Sequence, residues 1–194
     1  MKYFFKSIAV ISIIPLLIAL YFFDNIKGYW RFKQYCASEG GLRVYQPLER
    51  GVGWLAEDQE QAKAASLLEY VDYARYTDKN DGNTYDLRYL GGDLQLDASY
   101  EIKLEDQAKN PVYLWKSVGE GVKGELRLRR FGYEVVEIKS SKLFSLYYSF
   151  SYSKFDRSKT ILDSPSRVYC FTEHEKGSEG LYGWRVALNT AFKN

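Results

Sequence analysis

With 194 residues, the chain has room for one domain of ordinary size, or a small domain with an appendage, and not for a multidomain enzyme. A composition of 46% apolar and 27% charged residues excludes wholesale disorder, and the 17% aromatic share, carried by 18 Tyr, 11 Phe and 4 Trp, favours strands around a rigid core. A net charge of +2 excludes the long-range basic field of a nucleic-acid binder, and one His with two Cys is too few for a zinc site of the usual kinds, so any metal site would have to be built from carboxylates and carbonyls; no cofactor is expected.

Between Lys6 and Asp24 run 17 uncharged, mostly apolar residues, Ser7 to Phe23. As a helix they would extend roughly 25 Å, the lower limit for a bilayer core, with Tyr3 to Phe5 and Tyr21 to Phe23 as interfacial aromatics. Pro15, costly in a soluble helix, is tolerated in a membrane span. The alternatives are a cleaved secretory signal and a buried core helix. Cleavage needs small residues at the end of the apolar run, where the chain instead reads Leu17, Ile18, Ala19, Leu20, Tyr21, Phe22 and Phe23. Residues 1–24 therefore read as an uncleaved signal anchor, a single transmembrane helix that partners the bacterial inner membrane through residues 7–23. Flanking charge does not fix the orientation, because Lys2, Lys6 and the terminal amine on one side match Lys27, Arg31 and Lys33 on the other.

After the anchor, Asp24 or Asn25 can cap a helix to about Ser38, which Gly40 and Gly41 stop. Leu42 to Leu48 alternates as a strand closed by Pro47. A second helix is predicted from about Glu57 to Tyr70, with Ala64, Leu67, Leu68 and Val71 at helical spacing and Glu57, Asp58 and Glu60 in its first turn. Tyr70 to Tyr76 and Tyr85 to Leu90 flank the turn Lys79 to Asn83 and predict a hairpin. Tyr100, Ile102 and Leu104 alternate with Glu101, Lys103 and Glu105 in a strand with one wet face.

The strongest pattern is a hairpin of Glu125 to Lys139 with Leu143 to Phe155. In its second arm Phe144, Leu146, Tyr148, Phe150 and Tyr152 share the predicted core face, and Ser145, Tyr147, Ser149, Ser151 and Ser153 the predicted solvent face. In the first arm Leu126 and Leu128 alternate with Arg127 and Arg129, and the phase slips at Phe131 and Gly132, which predicts a bulge. Arg167 to Thr172 adds a short strand, and Leu181 to Phe192 a terminal helix interrupted by Gly183. The sum is an α+β fold over residues 25–194, an antiparallel sheet of about five to seven strands with packed helices, preceded by one N-terminal transmembrane helix.

Cys36 and Cys170, 134 positions apart, cannot form a CxxC motif, and neither has a neighbouring His. They are buried thiols or a structural disulfide, and in an exported domain the disulfide is the better reading. It also places the domain in the periplasm, on the outer side of the inner membrane.

The string Cys36, Gly40, Gly41, Val44 and Tyr45, together with the late strand pair and Cys170, resembles a family of uncharacterised proteobacterial envelope proteins, some of them lipoprotein-like. The resemblance covers about residues 29–45 and more loosely 131–170. Where such proteins follow the strand pair with Gly-Gly-Trp, this chain has Phe155, Asp156, Arg157 and Ser158. The resemblance implies an exported, membrane-tethered domain and carries no activity.

Several polar clusters invite chemical readings. Asp78, Asn80, Asp81, Asn83 and Asp86 offer oxygen ligands, but an EF-hand register from Asp78 puts Gly82 fifth and Tyr89 twelfth, so a hairpin turn is preferred. His174, between Glu173 and Glu175, has no accompanying nucleophile and reads as a loop residue. Arg127, Arg129 and Arg130 would line the wet side of a strand. No catalytic residues are assigned. The first functional expectation is a non-enzymatic, membrane-anchored periplasmic domain that binds a protein partner and no nucleic acid, as an assembly component or a toxin-immunity-like factor. The second is an enzyme acting on envelope polymers through two of Asp78, Asp81 and Asp86. The third is a cytoplasm-facing protein with two reduced thiols.

Overall fold

A computed structural model describes residue 23 and residues 26–92, 98–154, 166–170 and 183–192. The predicted anchor over 7–23 falls outside these residues except for its last position, and so does His174; among the described residues no helix is long and apolar enough to cross a membrane.

Among the described residues nine strands form one sheet: β1 (Gly41–Val44), β2 (Val52–Ala56), β3 (Val71–Thr77), β4 (Thr84–Gly91), β5 (Ser99–Leu104), β6 (Tyr113–Gly121), β7 (Leu128–Glu137), β8 (Leu143–Lys154) and β9 (Ser166–Tyr169). Their order is β1-β8-β7-β6-β2-β3-β4-β5, with β9 also beside β8. Among the described residues three helices accompany them: α1 (26–39), α2 (Gln59–Ser66) and α3 (Gly183–Asn189). This corrects the expectation of an antiparallel sheet of five to seven strands. The sheet is mixed, because β2 runs parallel to both β3 and β6. The physical cause is α2, which carries the chain back along the sheet between β2 and β3, as a parallel connection requires. Asp58 caps that helix, its carboxylate accepting the Gln61 N–H at 2.8 Å.

The two faces of the sheet are covered differently. One face buries Trp54, Ala74, Leu87, Tyr113, Trp115, Val135 and Tyr147 in a core shared with Ala62, Ala65 and Leu188 of α2 and α3. Trp54 anchors it, stacked on Phe192 and set edge-on to Tyr113. The other face is covered by α1 at the β8 end. There Phe32 and Tyr35 pack against Tyr152 and Phe150. Cys36 and Cys170 are joined by a disulfide with a Cα separation of 5.5 Å, tying α1 to the chain leaving β9.

β8 departs from its predicted single-sided burial. Ser145, Tyr147, Ser149 and Ser151 are as buried as the residues between them: Tyr147 shares a core with Leu188 of α3, while Leu146, Tyr148 and Phe150 share one with Phe32 of α1. Phe144 joins the opposite core from Leu146, Tyr148 and Phe150. A register shift explains it: Ser145 lies opposite Val135 and Leu143 opposite Val136, so Phe144 is the extra residue of a bulge. At Phe131 and Gly132, where the slip was expected, the register is continuous. β7 begins at Leu128, and Leu126 stands in the preceding turn, 97% exposed.

Candidate functional site

On the face that α1 covers at the β8 end, the β3–β4–β5 end of the sheet carries charge instead of a helix. Its centre is Arg75, a buried guanidinium on β3. The strand alternation that sends Ala74 and Tyr76 into the apolar core sends Tyr73 and Arg75 the other way. The β3–β4 register sets Asp86 opposite Arg75, and the two form a bidentate pair, Nε to Oδ1 at 2.7 Å and Nη2 to Oδ2 at 2.9 Å. The remaining donors of Arg75 reach the carbonyls of Lys109 and Asp106, both at 2.9 Å, and Asp86 also accepts the Asp106 N–H at 3.0 Å. Arg75 thereby fastens the 105–112 connection over the sheet.

Around this pair lies an open depression of about 250 Å³ walled by Tyr73, Asp86, Arg88, Lys103, Asp106 and Lys109. Its rim is a chain of ion pairs. Asp72 receives Arg88 at 2.6 Å and Lys109 at 3.2 Å, and Lys103 meets Glu101 at 2.7 Å. The Tyr73 ring forms part of the floor. Arg75 and Lys109 stand 5.2 and 5.7 Å from its centroid, and its buried hydroxyl has no hydrogen-bond partner among the described residues. Gly53 on β2 makes the ring's position possible, since a Cβ there would lie 2.1 Å from its Cζ.

The candidate acids each have hydrogen-bond partners of their own. Burial alone would raise the Asp86 pKa, but the Arg75 hydrogen bonds, the Asp106 N–H and the charges of Arg75 and Lys109 outweigh it and hold the carboxyl below its ordinary value. Asp78 and Asp81 are occupied in the β3–β4 turn, where they accept the N–H groups of Asn80 and Asn83, both at 2.8 Å. Asp81 also accepts the Tyr85 hydroxyl at 2.6 Å, which lowers its pKa. Gly82, at φ +73°, completes that turn. Among the described residues no group of three or more His, Cys, Asp or Glu is placed to hold a metal ion.

The other residues singled out by sequence lie elsewhere. Gly40, Gly41, Val44 and Tyr45 build the reversal from α1 into β1: Gly40 donates to the Tyr35 carbonyl at 3.0 Å, Gly41 takes φ +88°, and Tyr45 donates to the Phe144 carbonyl at 2.8 Å. A Cβ on Gly40 would lie 2.6 Å from the Cys36 carbonyl, so this glycine lets the chain turn tightly beside the disulfide. Of the predicted arginine strip, Arg130 pairs with Glu120 and lies 4.7 Å from the Tyr148 ring centroid, while Arg127 precedes β7. Sequence reasoning missed Arg75 as the centre of the depression, although the hairpin signal contained it: pairing outward from the Lys79–Asn83 turn brings residue 75 opposite residue 86. The chain matches no protein-family model, no curated protein and no solved structure.

Proposed function

We propose that the chain is a membrane-tethered periplasmic domain that binds another protein through the charged depression on β3–β5, without bond chemistry of its own. The observation that carries this reading is the use of the acidic residues: Asp86 is locked to a buried arginine, and Asp78 and Asp81 shape a turn, while Arg88, Lys103 and Lys109 stand at an open rim. Charges held in place by one another recognise a complementary surface at little ordering cost. The uncharged run Ser7 to Phe23 and the Cys36–Cys170 disulfide support a tethered, exported setting.

The test is photo-cross-linking in intact cells, with the cross-linking residue replacing Arg88 or Lys109 in the full chain and, as a control, Glu57 beside α2. A discrete adduct of larger mass from positions 88 and 109, absent from 57 and lost on Asp72→Lys, supports the reading. Equal adducts from all three positions overturn it. Release of soluble fragments from purified envelope polymer by the full chain, abolished by Asp86→Asn, would overturn it in favour of an enzyme.

A further inference from the structure

The sheet ends at β5, and among the described residues no strand lies on its outer side. Glu105 donates its N–H to the Thr84 carbonyl of β4 at 3.0 Å. Backbone groups alternate along a strand, so Lys103 and Glu101 also bond inward and Ile102 and Leu104 turn theirs outward. The same alternation separates the side chains. Glu101 and Lys103 line the charged depression, while strand alternation turns the Ile102 and Leu104 side chains to the other face, 43% and 67% exposed, with Leu104 also bordering the depression at the sheet edge.

We propose that β5 is a homodimerisation edge, which pairs antiparallel with β5 of a second copy about a two-fold axis through Ile102. The sequence of this edge is self-complementary in that register. Ile102 faces Ile102 of the other copy as a pair exchanging both backbone hydrogen bonds, and Tyr100 faces Leu104 on the same apolar side. On the opposite side Glu101 faces Lys103 of the other copy, and Lys103 faces Glu101. A register moved by two residues would set Glu101 against Glu101 or Lys103 against Lys103, so charge selects the register. Edge lysines ordinarily discourage strand addition, and this one is matched by an acid at the position a two-fold requires. The partner is a second copy because the complementarity is isologous, each half of the strand reading the other half. The axis stands perpendicular to the sheet, so both charged depressions come to the same side, adjacent across the joint. The inference is independent of what the depression binds, since it is read on the purified chain alone.

Cysteine scanning in the purified, detergent-solubilised full chain tests it, as Cys36 and Cys170 are already paired. Ile102→Cys is expected to give a reducible dimer under mild oxidation. Glu101→Cys and Lys103→Cys alone should give little, and co-expression of the two should give a mixed dimer. Sedimentation supplies the second measurement: Lys103→Glu should weaken the dimer at least ten-fold, and Glu101→Lys with Lys103→Glu should restore it. A monomeric mass for the unmodified chain at tens of micromolar, equal cross-linking at 101, 102 and 103, or failure of the charge swap to restore the dimer would each overturn the proposal.

Discussion

Single positions show how this protein separates cost from chemistry. Arg75 and Asp86 are both largely withdrawn from water, so either one alone would be a buried, uncompensated charge. Asp86→Asn is expected to lower stability by about 3 kcal/mol, measured by urea unfolding. The pH dependence follows from the sign of the shift. The folded pKa of Asp86 lies below its ordinary value of 3.8, so its contribution is complete above that pH and fades as the pH falls through the folded value. Wild type should therefore lose stability below about pH 4 more steeply than Asp86→Asn does. A second contrast sits on β8. Phe150 is fully buried, and Phe150→Ala should cost about 3–5 kcal/mol. Ser149, read from the alternation as a solvent residue, is buried and donates its hydroxyl to the Cys170 carbonyl at 2.9 Å. Ser149→Ala should accordingly cost about 1–2 kcal/mol, where a solvent-facing serine would cost almost nothing. Thermal unfolding of the two variants side by side measures the difference.

Among the elements, legibility followed the strength of the period. The β3–β4 hairpin, the β7–β8 hairpin and α2 each announce themselves by alternation, a turn or a cap, and they stand within a few residues of their predicted places. β2 and β6 were missed, for a common reason. Both are central strands with apolar residues on both sides, Val52 to Ala56 and Tyr113 to Trp115, and so lack the polar alternation that marks a half-wet strand. Missing them hid the parallel pairing and with it the mixed character of the sheet. The bulge was misplaced because a glycine suggested it. Gly132 is instead required by close approach: it takes φ +151°, and a Cβ there would lie 1.9 Å from the Tyr147 carbonyl of β8. Since that obstacle is backbone within a paired ladder, Gly132→Ala should destabilise by more than about 3 kcal/mol or prevent folding. Gly51→Ala, at φ +68° with nothing within 4 Å, should cost only about 1 kcal/mol, and comparing the two by denaturant titration separates steric collision from backbone preference.

Across the whole molecule, the disulfide ties α1 to the chain leaving β9. α1 lies against β8 through Gly28, Tyr29, Phe32, Tyr35 and Cys36, while Ile26 and Trp30 on its outer side are exposed. β9 is four residues long and, among the described residues, pairs with β8 alone. The bond joins these two elements across 134 positions. In the chain-entropy view, closing a loop of that size removes about 5 kcal/mol of freedom from the unfolded chain, a large part of the ~5–15 kcal/mol that stabilises a domain of this size. Reduction should therefore act in two stages. α1 and β9 should loosen first, exposing the amides of Phe32 to Cys36 and Val168 to Cys170 to hydrogen exchange, while β2, β3 and β6 keep their protection. The global unfolding midpoint should then fall by ten degrees or more. Hydrogen exchange with and without reductant, read segment by segment, checks the order. Uniform loss of protection across the sheet would show that the disulfide holds the central strands as firmly as α1 and β9.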